Sequence, residues 1–228
     1  MTNSELKDIH AEDIEDLLFM IENSFDIKFG DAEITTFGEL CDHIANKIQL
    51  EHSEDCTTQQ AFYKLRDAIS SKFKIDSKII STDFPLIDLF PRKKRRTMIA
   101  ELDKYLGFQL DILRPPHWIT IILVVLFFAS LVGLFFSWQM GLLGLIISIG
   151  GIRFSTKYGN KLKVKTVGQI AEKMTRENYL KSRRNSSTFD KEEVEKVLTD
   201  WFCSDLYLDR DKLTREAKFS WATQKINS

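Results

Sequence analysis

A long uncharged segment in the middle of the chain limits its folding more than any other feature. No Asp, Glu, Lys or Arg occurs from Pro115 to Ile152, and Ile119 to Phe136 is almost continuous Ile, Leu, Val and Phe. A membrane-spanning helix needs about 20 apolar residues, so this segment has room for a tight hairpin with short arms. The sequence predicts a helical hairpin at 115–153, either transmembrane or re-entrant. A buried helix pair in a soluble protein is the remaining alternative.

The residues on both sides of this segment are basic, which predicts its orientation. The upstream run is Arg92, Lys93, Lys94, Arg95 and Arg96, followed by Arg114; the downstream cations begin with Arg153 and Lys157. The turn between the two arms carries no charge, so the positive-inside rule places both termini in the cytoplasm, with the protein in the inner or plasma membrane. The run at 92–96 could contact anionic membrane lipid, bind an acidic protein, or only fix orientation. Nucleic-acid binding is disfavoured because the run stands alone.

The start of the chain is as acidic as this region is basic. Residues 1–60 contain 15 Asp and Glu against three Lys. Four of the acids lie close together at the start of one predicted helix, at Glu12, Asp13, Glu15 and Asp16. They are either a solvated helix face or a contact surface for a protein partner.

Helical periodicity dominates outside the hairpin. Apolar residues recur at helical spacing over 12–25, 59–73, 93–107 and 191–204, and a short helix is predicted after Thr36, with Thr35 or Thr36 as its N-cap and Glu39 as capping-box partner. No segment has convincing strand alternation. The predicted fold class is all-α: small helical bundles plus the hairpin.

The sequence contains no pattern typical of catalysis or metal binding. Cys41, Cys56 and Cys203 are scattered, and the four histidines make no metal-binding motif. No nucleophile–base pair or phosphate-binding loop can be assembled. We therefore expect a protein that is not an enzyme and has no metal.

Short segments recur along the chain. Thr36–Leu40 is similar to Thr166–Ile170, and Phe25–Phe29 to Leu106–Leu110. Ile75–Ser81 is similar to Leu208–Thr214.

Together these segments resemble the acyl carrier proteins. Ile34–Leu40 looks like the start of the last carrier helix, with its I-T-T-V-G-D-L pattern, and Ile21–Ile27 looks like the end of the second helix. Leu208–Phe219 and Ile75–Leu89 each look like the long loop after the first helix.

This resemblance implies two carrier-like bundles. Residues 1–50 would form one bundle, which 190–220 could complete; this would make it a circular permutant. Residues 58–113 and 154–176 would form the second, with the hairpin at 115–153 inserted into it. An unrelated helical bundle with chance matches is the rival interpretation.

The resemblance also predicts that no prosthetic group is attached. A working carrier bears phosphopantetheine on the serine of an Asp-Ser-Leu motif, which this chain lacks. Ala11 and Arg92 stand at the two corresponding positions, and neither can be esterified. We expect no cofactor.

These features favour a non-enzymatic, membrane-anchored, carrier-like protein that binds or scaffolds a protein partner at the cytoplasmic membrane face. Two alternatives stay open. One is an immunity or inhibitor protein that neutralises a toxin, and the other is an accessory factor in lipid or acyl-chain metabolism. The sequence gives neither the partner nor the oligomeric state.

Overall fold

A computed structural model describes residues 9–30, 34–52 and 55–219. The described chain is mostly helical, which confirms the predicted all-α class. The helices are α1 Ala11–Phe25, α2 Phe37–Lys47, α3 Thr57–Phe73, α4 Leu86–Leu89, α5 Arg95–Leu106, α6 His117–Phe136, α7 Trp138–Lys157, α8 Val167–Glu177, α9 Tyr179–Ser182 and α10 Lys191–Asp205. Short 3-10 helices lie at Ser77–Ile79 and Arg210–Lys212.

The described residues form two compact units. Unit 1 combines the described residues up to Thr82 with those from Gly168 onward, and unit 2 is Asp83–Val167. The predicted second bundle, 58–113 with 154–176, crosses this division because α3 and nearly all of α8 lie in unit 1. The assignment of helices to two carrier-like bundles therefore stays a prediction.

The core of unit 1 is built from both ends of the chain. Ile14, Leu17 and Ile21 line the buried side of α1, and they share one apolar cluster with Trp201 and Phe202 of α10. The cluster extends to Phe219, which is fully buried. The apolar residues of α1 and α10 recur at helical spacing, which explains why one face of each helix is buried.

Unit 2 contains the hairpin. Helices α6 and α7 have 20 residues each, both are long and apolar enough to cross a membrane, and Ser137 alone separates them. At about 1.5 Å per residue, each extends for about 30 Å, the thickness of the hydrocarbon core of a bilayer. The arms are longer than the sequence predicted because α7 continues past Arg153 to Lys157.

Close backbone approach holds the two arms antiparallel. A Cβ on Gly144 would clash with the Oγ of Ser130, and one on Gly151 would lie 2.7 Å from Leu123. The Ser130 hydroxyl donates to a carbonyl of its own helix, 2.6 Å away. Small residues therefore line the seam, as is typical of helix pairs in membranes.

A two-stranded antiparallel ladder closes the base of the hairpin. It pairs β2, Leu113–Arg114, with β3, Lys161–Leu162, and places Arg114 opposite Lys161. Gly159 permits this closure, since a Cβ there would lie 2.5 Å from the backbone carbon of Arg114. In unit 1 a parallel ladder pairs β1, Glu51–His52, with β4, Thr188–Phe189. Neither ladder was predicted, because two residues are too few to show an alternating pattern.

The predicted N-cap of α2 is confirmed, whereas a segment predicted as a loop contains short helices. Thr36 caps α2 in a full capping box: its hydroxyl accepts from the Glu39 N–H at 3.2 Å, and the Glu39 carboxylate accepts from the Thr36 N–H. Hydrogen bonds from the hydroxyl and the N–H of Thr35, and to a smaller extent from the Thr36 N–H, lower the pKa of Glu39. The segment Ile75–Leu89, which the resemblance predicts as a long loop, contains the first 3-10 helix and α4.

Candidate binding surfaces

Two junctions in the structure have the same hydrogen bonds. At the start of α2, the N–H groups of Phe37 and Gly38 donate to the carbonyls of Ala217 and Arg215, and the Phe219 N–H donates to Thr35. At the start of α8, Val167 and Gly168 donate to Phe84 and Thr82, and Leu86 donates to Lys165. The six residues of one junction correspond in order to the six of the other.

The glycines of these junctions also correspond. A Cβ on Gly38 would lie 2.8 Å from the Arg215 carbonyl oxygen, and a Cβ on Gly168 would lie 3.0 Å from that of Thr82. Each glycine admits a loop backbone against the first turn of a helix. This is a steric reason for the Thr-x-Gly pattern that the two segments share.

The ends of α1 and α5 match in the same way. Asp26 and Gly107 cap these helices in the left-handed conformation. Glu22 in α1 then accepts from the Phe29 N–H at 2.6 Å, and Asp103 in α5 accepts from the Leu110 N–H at 2.9 Å. The two carboxylates differ electrostatically. Hydrogen bonds from Lys28 and Phe29 lower the pKa of Glu22, whereas burial raises the pKa of Asp103.

The Asp103 carboxylate also lies near Asp111, which adds to the rise in its pKa. Equivalent positions therefore have the same backbone role and opposite pKa shifts.

This correspondence pairs residues of opposite charge on α1 and around the start of α5. The helix ends match with an offset of 81 residues, so Glu12, Asp13 and Glu15 correspond to Lys93, Lys94 and Arg96. All six are exposed. Ala11 and Arg92, the positions that the carrier resemblance predicts for the serine, correspond under the same offset and are both exposed.

The basic run at 92–96 is attached to the base of the hairpin. Arg95 is 6% exposed and is directed inward: its Nε donates to the Phe90 carbonyl at 3.0 Å and its Nη1 to the Asn160 carbonyl at 2.8 Å. Burial, and then the charge of Arg92, lower the pKa of Arg95. The Asn160 side chain donates in turn to the Arg92 carbonyl at 2.8 Å. Arg95 therefore has a structural role, and the four other cations of the run remain exposed.

An aromatic pair extends this attachment. The Arg96 guanidinium lies 4.6 Å from the centre of the Tyr158 ring, and Tyr158 packs on Phe154 with ring centres 4.3 Å apart. Arg153 and Lys157, one helical turn apart in α7, are exposed beside these rings. The end of α7 thus combines cations and aromatic rings, the composition typical of a membrane–water interface.

The acidic residues of α1 lie beside an open cleft in unit 1. Glu12, Asp13, Glu15 and Asp16 are all exposed, and Phe19 on the same helix is 61% exposed. The cleft has a volume of about 620 Å³ and has both carboxylates and apolar side chains in its walls. The lining residues are Ile9, His10, Asp13, Asp16, Leu17, Met20, Ser204, Asp205, Leu206 and Tyr207. This arrangement suits a cationic segment that also carries an apolar side chain.

A buried ion pair in unit 1 was not predicted from the sequence. The Arg183 side chain is fully buried, and its Nη1 lies 3.6 Å from Glu193 Oε2. Nη1 donates to the Thr57 hydroxyl at 2.5 Å, and the Tyr179 hydroxyl donates to Glu193 at 3.1 Å. Arg183 and Thr57 are 126 residues apart in sequence. No local pattern marks such a pair, and its hydrogen bonds join segments of the fold to one another.

Within residues 9–30, 34–52 and 55–219, no group of three or more His, Cys, Asp or Glu side chains could hold a metal ion. Comparison of the chain with protein-family models, with curated proteins and with solved structures gave no match.

Proposed function

We propose that the protein is a membrane-anchored docking module, built from two degenerate carrier-like repeats, that binds a protein partner through the acidic face of α1. Its task is to hold that partner at the cytoplasmic face of the membrane, and it catalyses no reaction. The observation that carries this proposal is the pair of matched junctions at α2 and α8.

The junctions support a common origin for the two repeats. Chance resemblance between short sequence segments does not require the same backbone donors and acceptors, yet the bonds at Phe37 and Gly38 correspond to those at Val167 and Gly168. The helix caps at Asp26 and Gly107 add a second, separate correspondence. Carrier ancestry explains both, together with the resemblance of the segments to acyl carrier proteins.

The absence of the carrier serine supports a binding role. Ala11 is the first residue of α1, and Arg92 lies before α5. Neither side chain can accept phosphopantetheine, so a bundle of this kind would retain only the carrier's ability to be recognised by other proteins. Intact-mass measurement after co-expression with a phosphopantetheinyl transferase should show the unmodified chain. An added prosthetic group would contradict the degenerate-carrier hypothesis.

The face that we assign to the partner is acidic and partly apolar. Charge complementarity gives specificity and speeds association, and an exposed aromatic side chain supplies contact area. On α1, the exposed Phe19 provides the aromatic group, three residues after Asp16, which lines the cleft. We therefore expect a partner with a basic, amphipathic segment.

A photo-crosslinking experiment tests this face in native membranes. A photoreactive amino acid is placed at Phe19 and, as a matched control, at Ile79, which is 56% exposed in the same unit. We expect a discrete protein adduct at position 19 and none at position 79. Mass spectrometry of the adduct identifies the partner.

Charge reversal then tests the mechanism. The double variant Glu12→Lys/Asp16→Lys should remove the adduct, whereas the control Asp67→Lys/Glu172→Lys, which changes exposed acids elsewhere in unit 1 by the same amount, should retain it. Equal adducts at both crosslinker positions, or an adduct that survives reversal on α1, would exclude α1 as the docking face.

A further inference from the structure

We infer that the exposed cations at the base of the hairpin form a binding surface for the headgroups of anionic phospholipids. We call this surface the basic collar and define it as Arg92, Arg96, Arg114, Arg153, Lys157 and Lys161. The inference rests on the proposed insertion of the hairpin in a membrane, and it does not depend on carrier ancestry or on a protein partner.

Unit 2 carries a large excess of positive charge. Residues 83–167 contain twelve Lys and Arg and five Asp and Glu, a formal net charge of +7. In the part of the chain that the structure describes, no collar residue is in an ion pair. Lys163 differs, because it pairs with Asp111. The collar is therefore positive charge without a counterion among the described residues.

The ladder at the base brings two of these cations together. Arg114 and Lys161 are register partners in the antiparallel pair β2–β3, and both are exposed. Side chains opposite each other in such a ladder lie on the same face, about 5 Å apart at Cβ, where like charges are destabilising. An anion beside the ladder would remove this repulsion. The position of the pair, just before the start of α6, is that of a lipid headgroup.

The other cations are fixed around the same end of the hairpin. The backbone of Arg92 is held by the Asn160 side chain, and Arg96 lies over the Tyr158 ring. Arg153 and Lys157 lie on the last turns of α7, beside Phe154. Because these contacts orient the segments that carry the charges, the collar needs little further ordering to meet a row of phosphates. Arginine is suited to this task because its planar guanidinium binds phosphate with two parallel hydrogen bonds.

Exposed aromatic residues near the base of the hairpin favour a lipid headgroup, rather than a soluble anion, as the ligand. Trp118 is 64% exposed one residue into α6, and Phe154 is 65% exposed near the end of α7. Aromatic side chains at this level are typical of the headgroup region. A membrane supplies anions at high local density there, and each cation near an anionic surface contributes about 1 kcal/mol, or about a fivefold preference.

Quenching by brominated lipid tests the collar in full-length protein reconstituted into liposomes. Two reporter backgrounds are used: Trp138→Phe/Trp221→Phe leaves Trp118 at the collar, and Trp118→Phe/Trp221→Phe leaves Trp138 at the opposite end of the hairpin. Trp201 is 1% exposed and is a constant background in both. The liposomes mix phosphatidylcholine and phosphatidylglycerol, with bromine on the chains of one lipid or the other.

We expect brominated phosphatidylglycerol to quench Trp118 several-fold more effectively than brominated phosphatidylcholine, and the two lipids to quench Trp138 equally. The variant Arg92→Gln/Arg96→Gln/Arg153→Gln should reduce the preference at Trp118 toward unity, as should high salt. The control Lys78→Gln/Arg184→Gln/Lys196→Gln, which neutralises exposed cations of unit 1, should leave it unchanged.

A second variant shows whether the effect of the first arises from local unfolding. Arg114→Gln/Lys161→Gln leaves the contacts of Arg92 and Arg96 intact and should also weaken the preference. If both lipids quench Trp118 equally in the protein with an unaltered collar, the inference is overturned, and the cations serve only to set the orientation of the hairpin. If neither lipid quenches either tryptophan, the hairpin is not inserted, and both this inference and the proposed membrane anchoring fail. Lipid preference without any partner adduct at α1 would instead support the collar and contradict the docking face.

Discussion

Burial should decide how much the ion pairs of unit 1 contribute to stability, and the buried pair Arg183–Glu193 gives a sharp test. Its nitrogen–oxygen distance is 3.6 Å, with side-chain exposures of 0% and 10%. The pair Arg210–Asp200 is closer, at 2.9 Å, but its side chains are 57% and 42% exposed. Distance alone predicts that Arg210–Asp200 is the stronger pair, and burial predicts the reverse.

The expected loss of stability depends on which groups each substitution leaves without a partner. Arg183→Met removes hydrogen bonds to the Thr57 and Tyr179 hydroxyls and leaves the Glu193 carboxylate in the interior without its cation. Breaking a buried pair in this way costs about 3–5 kcal/mol. Arg210→Met exposes Asp200 to water, and such surface pairs contribute about 0–1 kcal/mol.

Chemical denaturation of the full chain in detergent micelles measures both effects. Trp201 is buried in the core of unit 1, so its fluorescence reports this unit when Trp118, Trp138 and Trp221 are replaced by Phe. A double-mutant cycle with Glu193→Gln should give a coupling of about 2 kcal/mol, within the range found for residues in contact. The corresponding cycle with Asp200→Asn should give less than about 1 kcal/mol. If Arg183→Met costs no more than Arg210→Met, the assignment of stability to the buried pair is refuted.

Three further predictions concern single positions. Gly159→Ala should lower the melting temperature of the full chain, because its Cβ would lie 2.5 Å from a backbone carbon. The control Gly150→Ala, whose Cβ meets nothing within 4 Å, should leave the melting temperature unchanged. Equal melting temperatures for the two variants would show that the backbone at the hairpin base can move to admit the methyl group. Alkylation followed by mass spectrometry should modify exposed Cys56 first and Cys41 last, because burial raises the pKa of Cys41 to about 12; early modification of Cys41 would contradict its burial. Glu22→Gln should destabilise the protein at pH 7, because the folded state lowers the pKa of Glu22 and so favours its charged form. This cost should shrink as the pH falls through the folded pKa, and a cost that persists in acid would show that the charge is not its cause.

The features that the sequence predicted have local causes. The start of α2 could be predicted because Thr36 and Glu39 satisfy each other's backbone groups within one helical turn. The hairpin could be predicted because hydrocarbon excludes charge along a whole segment. Each of these signals lies within a stretch of sequence short enough to be read by itself.

The remaining features depend on distant residues. Arg95 is one of five consecutive cations, and nothing in that run distinguishes it from Arg96; only the carbonyls of Phe90 and Asn160 make it the buried member. The ladder residues Arg114 and Lys161 are 47 positions apart in sequence, with the hairpin between them. Tertiary contacts, which composition and spacing do not encode, decide such positions.

The core of unit 1 also imposes an order on biosynthesis. Helix α1 leaves the ribosome before α10, but its apolar face packs into a cluster that α10 helps to form, and the backbone of Thr35 is bonded to Phe219. Since translation proceeds at about 5–20 residues per second, α1 and α2 wait many seconds for these partners, and the hairpin emerges during that wait. A chain interrupted before residue 219 would lack contacts that complete the core around α1 and α2, so damage there is expected to destabilise these two helices as well.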